Sequence, residues 1–257
     1  MRSKPKADPS YLDLQAEIGI TKHNGGYPAT DRLLELCRAG DVRQVLYVGT
    51  GIGVGPSYLA RSRGCRVVAA DISPKMLDWT RIRAKRDGVE ELVELALADV
   101  VALPFEDGRF DLVIVESVLA FVADKQRAIA ECVRVTRPGG WVGMNEVVWI
   151  DEPPQGGLLL EANSLGTSLP TQAQWRALWE ASGLVDRAFE LNDVSVREEL
   201  RSRLRWIGWR WLLPAWGRAI KVALTDARAR RALREQLSYP PSLAALMGYV
   251  LSAGRRA

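Results

Sequence analysis

Short, mostly apolar runs recur along the chain, each closed by a polar or glycine-rich break. The first five are Val42–Val48, Arg66–Ala70, Leu92–Leu97, Leu112–Val115 and Trp141–Trp149. These runs read as strands, Val42–Val48 as a buried one. Helical patterns fill the gaps. Ser73 is a good N-cap and Pro74 suits the first helical position, which predicts a helix to about Lys85. Asp124 caps a second, through Val133, and Pro138-Gly139-Gly140 then reads as a turn. Ahead of the first strand, Asp8 to Ile20 reads as a short helix. Ala29 to Cys37 reads as another, with Leu33, Leu34 and Cys37 on one face.

The second half is less regular. Asp151 to Pro170, with Pro153-Pro154 and Gly156-Gly157, reads as a loop over the sheet. Thr171 and Gln174 form a capping box for a helix ending at Gly183. Ala188–Val196 and Leu246–Ala253 read as strands. Glu198–Leu237 reads as mostly helical, with interruptions at Pro214 and Gly217. Strands alternating with helices predict an α/β fold. The expected form is a Rossmann-like, doubly wound, seven-stranded and mostly parallel sheet, with helices on both faces and a helical insertion near the C-terminus. Residues 1–40 would form an N-terminal helical cap segment. Residues 41–257 would form the main domain, with 195–240 as a helical lid insertion.

Composition narrows the class. The 257 residues are 47 % hydrophobic and 26 % charged, ordinary for a globular protein. No run of 18 apolar residues predicts a transmembrane helix. The polar, basic stretch Met1 to Ser10 argues against secretion. Cys37, Cys65 and Cys132 are far apart, so neither a disulfide framework nor a zinc site is expected, and a cytoplasmic location is the default. A net charge of +4 is too small to imply nucleic acid, and no metal-binding cluster is evident.

Four chemically expressive features fall at strand ends, where open α/β sheets bind ligands. The turn Gly49-Thr50-Gly51-Ile52-Gly53-Val54-Gly55 follows the first strand. Glycines there let a ligand approach the backbone. Asp71 ends the second strand, where a carboxylate can accept from both hydroxyls of a ribose. Asp99 follows the third and could accept from an adenine amine. Glu116-Ser117 ends the fourth.

In that order and spacing, the chain resembles the class I S-adenosylmethionine-dependent methyltransferases, especially the small-molecule branch that includes quinone-biosynthesis enzymes. The matching residues are Val45–Gly53, Asp71–Leu77, Ala98-Asp99, Leu103–Val113 and Arg134–Gly140. The resemblance implies that Gly49, Thr50, Gly51 and Gly53 pass against the methionine part of the cofactor. It implies that Asp71 binds the ribose, Ile72 and Met76 pack on the adenine, and Asp99 with Val100 reads the adenine edge. Glu116 would border the methyl-donor end. The pattern departs at Tyr47, where the family has an acidic residue that helps hold the cofactor's amino group. Another group substitutes for that acid, or Tyr47 offers its hydroxyl, or Tyr47 merely packs near the turn.

A dinucleotide-dependent oxidoreductase is the rival reading, since Asp71 lies about where a Rossmann acid would. The G-x-G-x-x-G fingerprint needs a third glycine. Counted from Gly49, Gly51 or Gly53, that position holds Val54, Pro56 or Tyr58. A cofactor-binding but non-catalytic protein is the other alternative.

Methyl transfer to a small, partly apolar acceptor is an in-line displacement in which the cofactor carries the difficult chemistry. A base is needed only where the acceptor must lose a proton. The candidates are His23, the only histidine, which could instead line the cofactor or sit in a solvated loop; Glu116, which could orient an acceptor or hold the cofactor's ammonium; and Glu146, which could orient an acceptor, a buried structural carboxylate being the favoured alternative. From Arg197 to Ala257 there are 13 Lys and Arg against 4 Asp and Glu. Leu200, Leu204, Ile207 and Trp211 form one helical stripe there, and Trp206, Trp209, Leu213 and Trp216 a second. Packing on the sheet domain, a roof over the acceptor, a homodimer contact and a peripheral membrane contact stay open for this region. The aromatic roof, over an acceptor with apolar surface, is the preferred functional reading.

Overall fold

The structure is a computed structural model that describes residues 10–21, 23–154, 167–193, 204–237 and 245–257. Seven strands form one sheet in the order β3-β2-β1-β4-β5-β7-β6. They are β1 (Gln44–Val48), β2 (Arg66–Asp71), β3 (Val93–Leu97), β4 (Phe110–Glu116), β5 (Thr136–Trp149), β6 (Val185–Asp193) and β7 (Met247–Arg255). The first five pair in parallel. β7 runs antiparallel to both β5 and β6. The order reverses between β1 and β4, so the ends of those two strands flank the crevice where such sheets bind ligands.

Local sequence explains the helices. α1 (Tyr11–Ile18) starts with a reciprocal capping box between Ser10 and Asp13, and α2 (Gly26–Leu36) follows. α3 (Val54–Arg63) starts directly from the glycine turn. The Ser73 hydroxyl accepts from the Met76 N–H at the start of α4 (Pro74–Arg86). Asp124 caps α5 (Lys125–Val135) through the Arg127 N–H. The Thr171–Gln174 capping box opens α6 (Gln172–Glu180), which stops short of the expected Gly183. The fifth strand begins five residues early, at Thr136. Pro138-Gly139-Gly140 is therefore carried within it, with Gly139 at φ 77°.

The C-terminal helices differ most from expectation. α7 (Trp209–Thr225) runs unbroken through Pro214 and Gly217, and the breaks fall at Gly208 and Asp226, before α8 (Ala227–Leu237). Pro214 faces solvent and removes only its own N–H, while Trp211, Leu212 and Ala215 are buried on the opposite side. That burial outweighs one lost hydrogen bond. The stripes also divide differently. Ile207 and Trp211 are buried but Leu204 is exposed; Trp206 is buried but Trp209, Leu213 and Trp216 are exposed. Leu200 and the first part of the expected insertion lie outside the described residues.

Two hydrophobic layers sandwich the sheet. Leu46, Val48, Val113, Val115 and Met144 pack toward α5 and α6. Val45, Tyr47, Leu112 and Ile114 pack toward α2 and α3. A third cluster joins Ala16, Ile52 and Met76 to Trp206, Ile207 and Trp211. It fastens α1 and the start of α7 over the glycine turn. Three backbone carbonyls of α1 and its cap are held from this side. Trp79 Nε1 donates to Ala16 O at 2.8 Å, Arg218 Nε to Ile18 O at 2.7 Å, and Trp211 Nε1 to Gly19 O at 2.7 Å. All three cysteines are buried free thiols. Among the described residues, no helix is long and apolar enough to cross a membrane.

Candidate active site

β1 and β4 lie side by side, with Tyr47 opposite Ile114, so Tyr47 and Glu116 sit close to the same end of the sheet. The Tyr47 hydroxyl donates to Glu116 Oε2 at 2.6 Å. On the next strand, Asn145 pairs in register with Glu116, and its Nδ2 lies 3.5 Å from Oε1. The same amide donates to the Asn24 carbonyl at 2.9 Å, and Asn24 Nδ2 donates to Ser117 Oγ at 3.2 Å. The segment between α1 and α2 is thereby laid across the strand ends. Ser117 adopts φ 59°, a left-handed conformation that costs a non-glycine residue energy.

That segment delivers His23. Its Nε2 lies 3.0 Å from Glu116 Oε1, and the Thr30 hydroxyl donates to the same oxygen at 3.1 Å. The side chains of His23 and Glu116 are 3 % and 0 % exposed. Burial alone would raise the Glu116 carboxyl. The imidazole, with donors from Tyr47 and Thr30, instead holds it below the usual range. Burial beside that carboxylate pushes the Tyr47 phenol well above its ordinary value, so the phenol keeps its proton and donates it. A carboxylate facing Nε2 requires the proton on that nitrogen. His23 Nδ1 is then left as the open position of the ring. It is buried and, among the described residues, has no hydrogen-bond partner. Asn145 Oδ1 and Trp206 Nε1 share that condition. The Trp206 ring lies 4.6 Å from the imidazole, centroid to centroid, and 6.4 Å from Tyr27.

The glycine turn is more crowded than its sequence suggests. A Cβ on Gly49 (φ 75°) would lie 2.1 Å from Val118 Cγ2, and one on Gly51 (φ 51°) would lie 2.6 Å from Thr21 Oγ1. Side chains of this chain therefore occupy the space left by those two missing Cβ atoms. Gly53 packs on the backbone of Thr80 in α4. Thr50 is buried, its hydroxyl accepting from Thr80 at 3.0 Å. At the neighbouring strand end, Asp71 accepts from the Ser73 N–H at 2.9 Å and the Gly51 N–H at 3.2 Å. Burial raises its carboxyl against the pull of those donors.

The family description "Methyltransferase domain" matches residues 46–144, the stretch from β1 into β5. Methyltransferase GfsG of Streptomyces halstedii is 33 % identical over 141 residues, covering 55 % of this chain and 48 % of that one. An uncharacterized protein of Haemophilus influenzae is 30 % identical over 173 residues, covering 65 % of this chain and 69 % of its own length. The chain belongs to the class I S-adenosylmethionine-dependent methyltransferases. The same fold occurs in the [4+2]-cyclase SpnF, with a TM-score of 0.71 over 99 % of each chain at 21 % identity. This chain spans about half the length of the GfsG methyltransferase it matches. S-adenosylmethionine is the cofactor of this family, which sets aside the dinucleotide reading.

The anticipated residues separate into groups. Asp71 ends β2 and exposed Ile72 follows it, while Leu97, in register with Asp71, is a second exposed apolar side chain at the neighbouring strand end. Asp99 is exposed, and its Oδ1 accepts from the Val101 N–H at 3.2 Å. Val100 and Met76 are both buried: Val100 in the layer under β2 and β4, Met76 between Ile52 and Trp206. Glu146 is buried and serves the backbone, as a structural carboxylate would. Its Oε1 accepts from the N–H groups of Val118 and Leu119 at 3.0 and 2.9 Å, holding the turn after β4. Thr30, Asn24 and Asn145 were not legible as site residues, and Trp206 was anticipated only as part of an aromatic roof. None lies in a recognisable motif, and only the crossing of the N-terminal segment over β4 and β5 brings them together.

Proposed function

We propose that the chain transfers the methyl group of S-adenosylmethionine to an oxygen or nitrogen of a small, largely apolar acceptor, with His23 as general base and Glu116 as its positioning residue. The observation that carries this reading is the buried Nδ1 of His23, without a hydrogen-bond partner among the described residues, on a ring whose Nε2 is held by Glu116. Such an arrangement resembles the nucleophile-activating pairs of other enzymes, in which a carboxylate selects the tautomer and orients the ring. Tyr47 and Thr30 hold the carboxylate in turn.

The cofactor supplies a methyl carbon activated by an adjacent sulfonium. The residues present suit it. Asp71 offers a desolvated carboxylate for ribose hydroxyls, beside exposed apolar surface on Ile72 for an adenine face. Asp99 with Val100 would read the adenine edge, and the turn Gly49–Gly53 would border the methionine part once Thr21 and Val118 give way. In the reaction, His23 Nδ1 takes the acceptor's proton as the nucleophilic atom closes on the methyl. Glu116 stabilises the imidazolium that forms. Trp206 and Tyr27 exclude water and cover the apolar part of the acceptor, and Trp206 Nε1 and Asn145 Oδ1 supply one donor and one acceptor for its polar groups.

Turnover of labelled S-adenosylmethionine with a panel of apolar phenols, enols and amines tests the proposal. His23→Gln should lower kcat by about a hundredfold or more while cofactor affinity stays near the wild type. Binding without turnover on any acceptor in the panel would favour a non-catalytic cofactor-binding protein. The likeness to a cyclase makes that control necessary, because the fold alone does not set the reaction.

A further inference from the structure

The face of α7 turned away from the domain is apolar and uncovered. Trp209, Leu213, Trp216, Ile220 and Leu224 recur at spacings of three and four residues and form one stripe. Each is 53 to 75 % exposed. The opposite side of the helix already meets the domain's packing needs through Trp211, Leu212 and Ala215. The stripe is exposed, whereas Trp206 is buried beside His23, so it is a surface separate from the one the acceptor reading uses. Monomeric proteins seldom leave this much contiguous apolar surface without a use for it.

The charge around the stripe identifies what it meets. Arg210 and Lys221 are exposed on its flank and, among the described residues, have no ion-pair partner. α8, which packs on α7, adds Arg231 and Arg234 in exposed positions. From Leu204 to Leu237 the sequence has eight arginines and lysines against two acids. An isologous contact between two copies would set these positive surfaces against each other. An anionic surface would instead be attracted, and tryptophan with flanking arginine and lysine is the composition that settles at the boundary between headgroups and acyl chains.

We propose that α7 and α8 form a docking surface for anionic lipid bilayers, with Trp209, Leu213, Trp216, Ile220 and Leu224 entering the interface and Arg210 and Lys221 meeting the headgroups. The surface is independent of the catalytic reading, and its test needs no turnover. The purified full chain should float with vesicles of equimolar phosphatidylcholine and phosphatidylglycerol, and bind phosphatidylcholine vesicles about tenfold more weakly or worse. Leu213→Glu with Trp216→Glu should weaken binding to the mixed vesicles by about tenfold or more. Arg210→Gln with Lys221→Gln should weaken it and reduce its sensitivity to salt. All four side chains are exposed, so unchanged thermal melting shows that the variants remain folded.

Failure of the wild-type chain to bind the mixed vesicles overturns the proposal, as does equal binding by the Leu213→Glu, Trp216→Glu variant. A dimer seen by light scattering, dissolved by Leu213→Glu and accompanied by no vesicle binding, assigns the face to a second copy instead.

Discussion

Tyr47 on β1 and Glu116 at the end of β4 are joined by a 2.6 Å hydrogen bond between the phenol and the carboxylate. Where the resemblance implies an acidic residue on β1 this chain has Tyr47, and the acid on the neighbouring strand, Glu116, accepts from its hydroxyl. Tyr47→Phe should therefore do more than remove a ring substituent. It leaves a buried carboxylate short of one donor, which costs about 1 to 2 kcal/mol of stability by chemical denaturation. It should also lower kcat with little change in KM for the cofactor. A variant with wild-type stability and turnover would show that the phenol only fills space.

Asp71→Ala should weaken S-adenosylmethionine binding by about tenfold to a hundredfold, as expected for losing charge-assisted hydrogen bonds. The same change frees the Gly51 and Ser73 N–H groups, so some loss of stability accompanies it. Calorimetry on Asp71→Asn separates the two effects. The amide oxygen keeps one backbone contact, but the charge is gone. Equal affinity in both variants and the wild type would remove the ribose assignment.

Much of the scaffold was legible because its signals are local. The glycine turn, Ser73-Pro74, Asp124 and the Thr171–Gln174 box each specify an element from within a few residues. Asp71 and Glu116 were legible for the same reason, since strand ends can be counted along the chain. The pairing of His23 with Glu116 could not be read this way, because it depends on how the segment after α1 crosses two strands. The expected break at Pro214 failed for a related reason. Local propensity argued for it, but burial of Trp211, Leu212 and Ala215 carried the helix past the proline.

Trp206 and Trp209 were grouped on one stripe by spacing, yet Trp206 is buried beside His23 and Trp209 is more than half exposed. Their single alanine variants should differ sharply. Trp206→Ala should cost about 3 to 5 kcal/mol of stability, as for other large buried aromatics, and should raise KM for the acceptor. Trp209→Ala should leave stability within about 0.5 kcal/mol and turnover in detergent-free solution unchanged. Parallel losses of acceptor turnover in both variants would return Trp209 to the acceptor site.

Glu146 makes the pH dependence of stability testable at one residue. Burial pushes its carboxyl from an ordinary 4.5 up to about 7, against the N–H donors of the turn after β4 and the nearby Lys125 ammonium. A carboxyl whose folded value lies above its unfolded one binds its proton more tightly in the fold. Its contribution is therefore fully present below about pH 4.5 and is lost as pH rises through about 7, by an amount of order 3 kcal/mol. Glutamine mimics the protonated acid, since its carbonyl oxygen can still accept from Val118 and Leu119. Glu146→Gln should match the wild type near pH 5 and exceed it in Tm at pH 8 to 9. Parallel melting curves for the two proteins across that range would mean that Glu146 stays ionised in the fold, with Lys125 or water neutralising the charge.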